Sequence, residues 1–169
     1  VTYGQFSYLP LMWIDLNDID NLTQEGLLAH KSAIDSMSLG GSIKNASVKY
    51  DEIKTRSISL VRSVNEIQAV SPNNIKKLIS FVYDLDKALS NAIQQLRENA
   101  YMIWTLGNRR ISNIEVPLDK IMRELLESRG CHYVYELERE IPTKRMATRN
   151  KISSTMGKES ILIMRRGYE

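Results

Sequence analysis

The sequence predicts an α/β chain, mainly helical through residue 99 and then built as strand, helix, strand and a returning strand. Three observations carry this. Between Ser71 and Leu96, apolar residues recur at spacings of three and four; at Ala100 this gives way to a short continuous apolar run; beyond it, apolar strands flank one amphipathic helix.

The elements follow in order. Leu9, Leu11, Met12 and Trp13 suggest a short helix, with Pro10 tolerable in its first turn. Leu16 to Ser47 is polar and turn-rich around Gly40-Gly41 and reads as a surface excursion. From Tyr50 to Gln68, Ile53, Leu60, Val61, Val64 and Ile67 keep a helical period that Ile58 leaves. Ser71 is placed to cap and Pro72 suits a first helical position; the stripe Ile75, Leu78, Ile79, Val82, Leu85, Leu89, Ile93 and Leu96 follows. Ala100 to Leu106 stops at Gly107 and has the apolar continuity of a central strand buried on both faces. Pro117 opens a helix with the stripe Leu118, Ile121, Met122, Leu125 and Leu126, closed by Arg129-Gly130. His132 to Leu137 is a second strand, and Ile161 to Met164, ending at Arg165-Arg166, a third. Strand, helix, strand is one parallel crossover, and the third strand returns as a hairpin partner.

Composition narrows the class. With 169 residues, 43% hydrophobic and 25% charged, the chain fits one soluble globular domain or part of a larger one. The longest apolar runs, Leu9 to Ile14 and Ile161 to Met164, fall far short of the roughly 18 residues a membrane span needs. A lone Cys131 and no zinc-ligand spacing point to a reducing, cytoplasmic setting. The chain opens at Val1 without an initiator Met or a signal-type core, which suggests a cut rather than a true terminus. Charge is uneven: residues 1–99 hold 10 Lys+Arg and 11 Asp+Glu, residues 100–169 hold 13 and 9. From 139 to 158, Arg139, Lys144, Arg145, Arg149, Lys151 and Lys158 face only Glu140, a segment suited to phosphates or to plain solubility.

An independent catalytic centre is hard to assemble from these residues. His30 and His132 are distant in sequence, and a strand histidine such as His132 is more often packed than basic. Cys131 follows a helix-capping glycine, an ordinary place for a small buried residue. Gly40-Gly41 lacks the strand and third glycine of a phosphate loop. Asp15, Asp18 and Asp20 read as solvated turn residues, and no metal site is expected.

Four stretches carry a family resemblance. Val1-Thr2-Tyr3-Gly4-Gln5-Phe6-Ser7-Tyr8-Leu9 resembles the segment after the catalytic Ser-Pro-Pro-Tyr motif of amino-group DNA methyltransferases. Trp104-Thr105-Leu106-Gly107-Asn108-Arg109, followed by Ile114-Glu115-Val116-Pro117-Leu118-Asp119, is similar to that family's strand, Gly-Asn-Arg turn and Val-Pro-Thr-Asp helix start. Ile141-Pro142-Thr143-Lys144-Arg145-Met146 is similar to Ile-Pro-Asn-Lys-Arg-Met-Pro, with Thr143 for Asn and Ala147 for Pro. Ser154-Thr155-Met156-Gly157-Lys158-Glu159-Ser160-Ile161 leads into the last strand.

The resemblance implies the C-terminal half of a class I (Rossmann-like) methyltransferase sheet with a helical insertion. Residues 1–14 would follow the missing catalytic motif, 15–99 would be the insertion that reads target or buttresses the fold, and 100–169 would be the C-terminal strand–helix–strand–hairpin. It implies transfer of a methyl group from S-adenosylmethionine to the exocyclic amino group of a flipped cytosine or adenine, within a restriction-modification system. The cofactor turn and catalytic motif would precede Val1, in a missing N-terminal half or complementary subunit. Ligands of an open α/β sheet lie beyond the carboxyl ends of its parallel strands, which gives Asn108, Arg109, Arg110, Lys144 and Arg145 as candidate contacts to double-stranded DNA. An RNA amino-methyltransferase and a non-enzymatic helical binding module stay open as alternatives.

Overall fold

A computed structural model describes residues 38–140 and 158–167; the expectations for residues 1–37 and 141–157 lie outside them. Among the described residues three helices come first: α1 (Ala46–Ile53), α2 (Ile58–Val70) and α3 (Pro72–Gln95). The single helix expected from Tyr50 is therefore two. Ser57 breaks it, because its backbone is extended and its Oγ accepts from the Leu60 N–H, capping α2. Ile53, Leu60, Val64 and Ile67 are buried as the stripe requires, and Ile58 is exposed. Pro72 opens α3 as expected, although the Ser71 hydroxyl makes no cap and instead accepts from Asn74 Nδ2 at 3.0 Å. The described end of the excursion, residues 38–45, meets α3 at Gly40, which has φ +75°; its N–H donates to Asp84 Oδ2, and an added Cβ would stand 2.9 Å from that of Phe81.

The second part contains β1 (Tyr101–Leu106), a short hairpin of β2 (Arg109–Ile111) and β3 (Ile114–Val116), α4 (Leu118–Glu127), β4 (Cys131–Glu140) and β5 (Lys158–Arg166). The three long strands form one sheet in the order β1-β5-β4, with β5 antiparallel to both neighbours. β1 and β4 are thus parallel, joined through α4, and the returning strand fills the space between them. The β2–β3 hairpin was not expected. Its strands are too short to show a period, and its turn uses Ser112 and Asn113, both at positive φ, as a two-residue hairpin turn demands.

α4 buries Ile121, Met122, Leu125 and Leu126 against the sheet and α2. Each such side chain contributes about 1.5–3 kcal/mol. On the covered face of the sheet, Met102, Leu162 and Met164 are buried beneath the helices. Polar groups fix how the layers meet. Glu124 on α4 accepts from Ser57 Oγ and from the N–H and Oγ of Ser59, a carboxylate at the positive end of α2. Arg166 at the end of β5 donates to the carbonyls of Ile93 and Leu96 at the last turn of α3, where the Ile93 carbonyl also accepts from the Leu96 N–H.

β1 departs from expectation in one respect. Its burial alternates, and it stands at the edge of the described sheet. Helices cover one face only, so every second residue is left outward. Register groups Tyr101, Ile103, Ile161, Ile163, Tyr135 and Leu137 on that other face, where Ile103 is 69% and Tyr101 63% exposed. An open strand edge beside such an apolar face favours association. Sedimentation of the 169-residue chain is therefore expected to show self-association that Ile103→Lys weakens; a dispersed monomer would contradict this.

Candidate nucleic-acid interface

Because β1 and β4 are parallel, their carboxyl ends lie at the same edge of the sheet. β1 leaves that edge through Gly107-Asn108 into the hairpin. The first turn of α3 reaches the same place, since Asn74 Nδ2 donates to Ser112 Oγ at the hairpin turn, 3.2 Å away.

Asn108 is bound at this edge. Its Nδ2 donates to Asp119 Oδ2 at 3.3 Å, and its Oδ1 accepts from the Asp119 N–H at 3.4 Å. Asp119 Oδ2 also accepts from Ser160 Oγ at 3.4 Å. The side chain thereby secures the first turn of α4, where the Asp119 carboxylate suits the helix dipole. Arg109 is exposed and forms no ion pair among the described residues. Arg110 is exposed and stands 3.6 Å from Glu115 across the hairpin, a solvent-screened pair of little energetic weight. Lys144 and Arg145 lie outside the described residues.

The flanks of the basic segment are less free than their sequence suggests. Arg139 donates to Glu159, and Lys158 to Glu138 at 2.8 Å, across the β4–β5 ladder. The Lys158 ammonium is held above its usual range chiefly by that hydrogen bond to Glu138. Surplus charge is thus concentrated within 141–157, where Lys144, Arg145, Arg149 and Lys151 face no acid in sequence.

Sequence reasoning missed the contribution of the helical part to this edge. A groove of about 410 Å³ runs between α3 and the hairpin, with Asn74, Lys77, Leu78 and Phe81 on one wall and Arg109, Arg110 and Ile111 on the other. Lys77 is exposed and has no ion pair among the described residues. Cys131 and His132 open β4, at the opposite edge of the sheet, where burial pushes the Cys131 thiol up and His132 is an exposed strand residue. Among the described residues no group of three potential ligands could hold a metal ion, and no helix is long and apolar enough to cross a membrane.

Comparison with known proteins defines the class. The chain is related to the methyltransferases. It is 30% identical over 162 residues to the type II methyltransferase M.MvaI of Kocuria varians, an alignment covering 95% of this chain and 34% of that protein. The chain thus spans about a third of the length of the curated relative it matches. No family model matches it, and no solved structure matches it significantly.

Proposed function

We propose that this chain is the C-terminal part of the catalytic domain of a DNA methyltransferase. The enzyme moves a methyl group from S-adenosylmethionine to the exocyclic amino group of a flipped cytosine or adenine, in the cytoplasm and within a restriction-modification system. One observation carries the reading. Asn108 and Asp119, from the two halves of the second stretch of the family resemblance, and Ser160, from the fourth, meet in one hydrogen-bonded cluster at the carboxyl edge of β1. The strand–helix–strand–hairpin order supports it, as does the apolar outer face, which suits a sheet continued and covered by further chain.

In this reading the chain's own residues bind and position. Asn108 holds the turn that presents Arg109 and Arg110, and these, with Lys144 and Arg145, hold phosphates on either side of the extruded nucleotide of double-stranded DNA. The described residues do not build a place for S-adenosylmethionine. Gly107 is the glycine at a parallel strand's carboxyl end, and the polar side chain beside it, Asn108, is already committed to Asp119. The cofactor turn and the Pro-Pro-aromatic motif, absent from the 169 residues, are assigned to the complementary part of the protein.

Titration calorimetry tests this assignment. The 169-residue chain alone should show no micromolar affinity for S-adenosylmethionine and no methylation of DNA, and co-expression with the complementary part should restore methylation. A micromolar dissociation constant for the chain alone would sink the fragment reading, and an inactive but well-folded pair the methyltransferase reading.

A further inference from the structure

The groove between α3 and the β2–β3 hairpin joins Arg109 and Arg110, which the sequence suggested as contacts, to a wall of α3 that it did not, and its chemistry is specific. Its apolar lining includes Leu39 before α1, Phe81 on α3 and Ile111 on the hairpin, over the buried Leu78, and both elements bring cations, Lys77 from α3 and Arg109 and Arg110 from the hairpin. Neither Lys77 nor Arg109 is neutralised by an acid among the described residues. Asn74 adds an amide held in place by Ser71 and Ser112. At about 410 Å³ the groove is within the range of sites that take one small molecule, roughly 300–1,000 Å³. An apolar wall that includes an aromatic ring, beneath cations from two elements, matches an unstacked base joined to its phosphate. A peptide of acidic residues would satisfy the cations but leave the Phe81 wall unused.

We infer that this groove receives one unstacked nucleotide of the DNA strand, with its base against Phe81 and Ile111 and its phosphate held by Lys77 and Arg109. The inference rests on the DNA reading above and adds to it. It makes α3, part of the helical region of unassigned role, a direct participant in DNA binding. The groove belongs to the sheet's ligand edge, since the first turn of α3 and the hairpin turn are hydrogen-bonded there.

Fluorescence anisotropy of the full 169-residue chain with a fluorescein-labelled DNA duplex carrying a short single-stranded overhang tests it. Lys77→Ala should weaken binding and lower the slope of log affinity against log salt by about one unit. Phe81→Leu should weaken binding of the overhang substrate several-fold, with the slope unchanged and a smaller effect on blunt duplex. Lys54→Ala, at an exposed pair with Asp51 outside the groove, should leave both substrates unaffected. If the chain binds DNA and a folded Lys77→Ala variant keeps wild-type affinity and slope, the groove is overturned and the DNA reading stands. If Lys77→Ala weakens blunt and overhang DNA equally and Phe81→Leu neither, the cations bind backbone alone and the nucleotide inference fails. Absence of binding by a chain that unfolds cooperatively overturns both.

Discussion

Asp86→Ala is expected to lower the unfolding free energy by about 3–5 kcal/mol, the cost of breaking one side of a buried ion cluster. The Asp86 side chain is 4% exposed on α3, where its Oδ2 accepts from Arg56 and, at 2.6 Å, from Arg129. Arg56 lies in the link between α1 and α2, and Arg129 just beyond α4, so one carboxylate joins three parts of the helical layer. Its removal strands the Arg129 guanidinium, which is four-fifths buried, without a counter-charge. Arg56 is more exposed and contributes less, because water screens it. Urea denaturation followed by circular dichroism measures the loss. Lys54→Ala, which breaks an exposed pair with Asp51, is the comparison and should cause no measurable change. A loss below about 1 kcal/mol for Asp86→Ala would mean that the cluster behaves as surface charge.

The second large effect concerns the basic segment after β4. Residues 141–157 hold four cations and no acid, and they follow directly from the carboxyl end of a parallel strand. If Lys144 and Arg145 each neutralise a phosphate beside the target nucleotide, the Lys144→Ala/Arg145→Ala variant of the intact enzyme loses about two units of salt slope. Affinity should fall similarly for all sequences, because phosphate contacts carry no base information. Asn108→Ala should behave differently: without its amide, Asp119 loses two bonds and the turn carrying Arg109 loosens, so turnover falls with the salt slope nearly unchanged. Filter binding at several salt concentrations, paired with single-turnover methylation, separates the two. Unchanged affinity and slope in a folded double variant would return the segment to solvated surface charge.

What local chemistry controls was legible from the residues alone. Pro72 starts α3, the Leu118-to-Leu126 stripe gives α4, Gly130 at φ +76° ends its turn, and the apolar runs at 101–106 and 161–164 become strands. Each depends on neighbours a few residues away, so periodicity and caps suffice. The relation to methyltransferases was legible too, in short motifs whose order survives in one chain. Tertiary structure alone decided the rest. The break that Ser57 makes before α2 is held by Glu124, far along the chain, which accepts a hydrogen bond from its hydroxyl. β1 reads as buried on both faces from its apolar content, yet its outward residues are exposed because helices cover one side of the sheet only. The candidate site follows the same division. Arg109 and Arg110 could be named from the turn they sit on, whereas Lys77 and Phe81 carried no signal, since a lysine and an aromatic on an amphipathic helix are ordinary until a hairpin faces them. Burial, pairing and charge neutralisation are set by partners distant in sequence, and those exist only once the chain has folded.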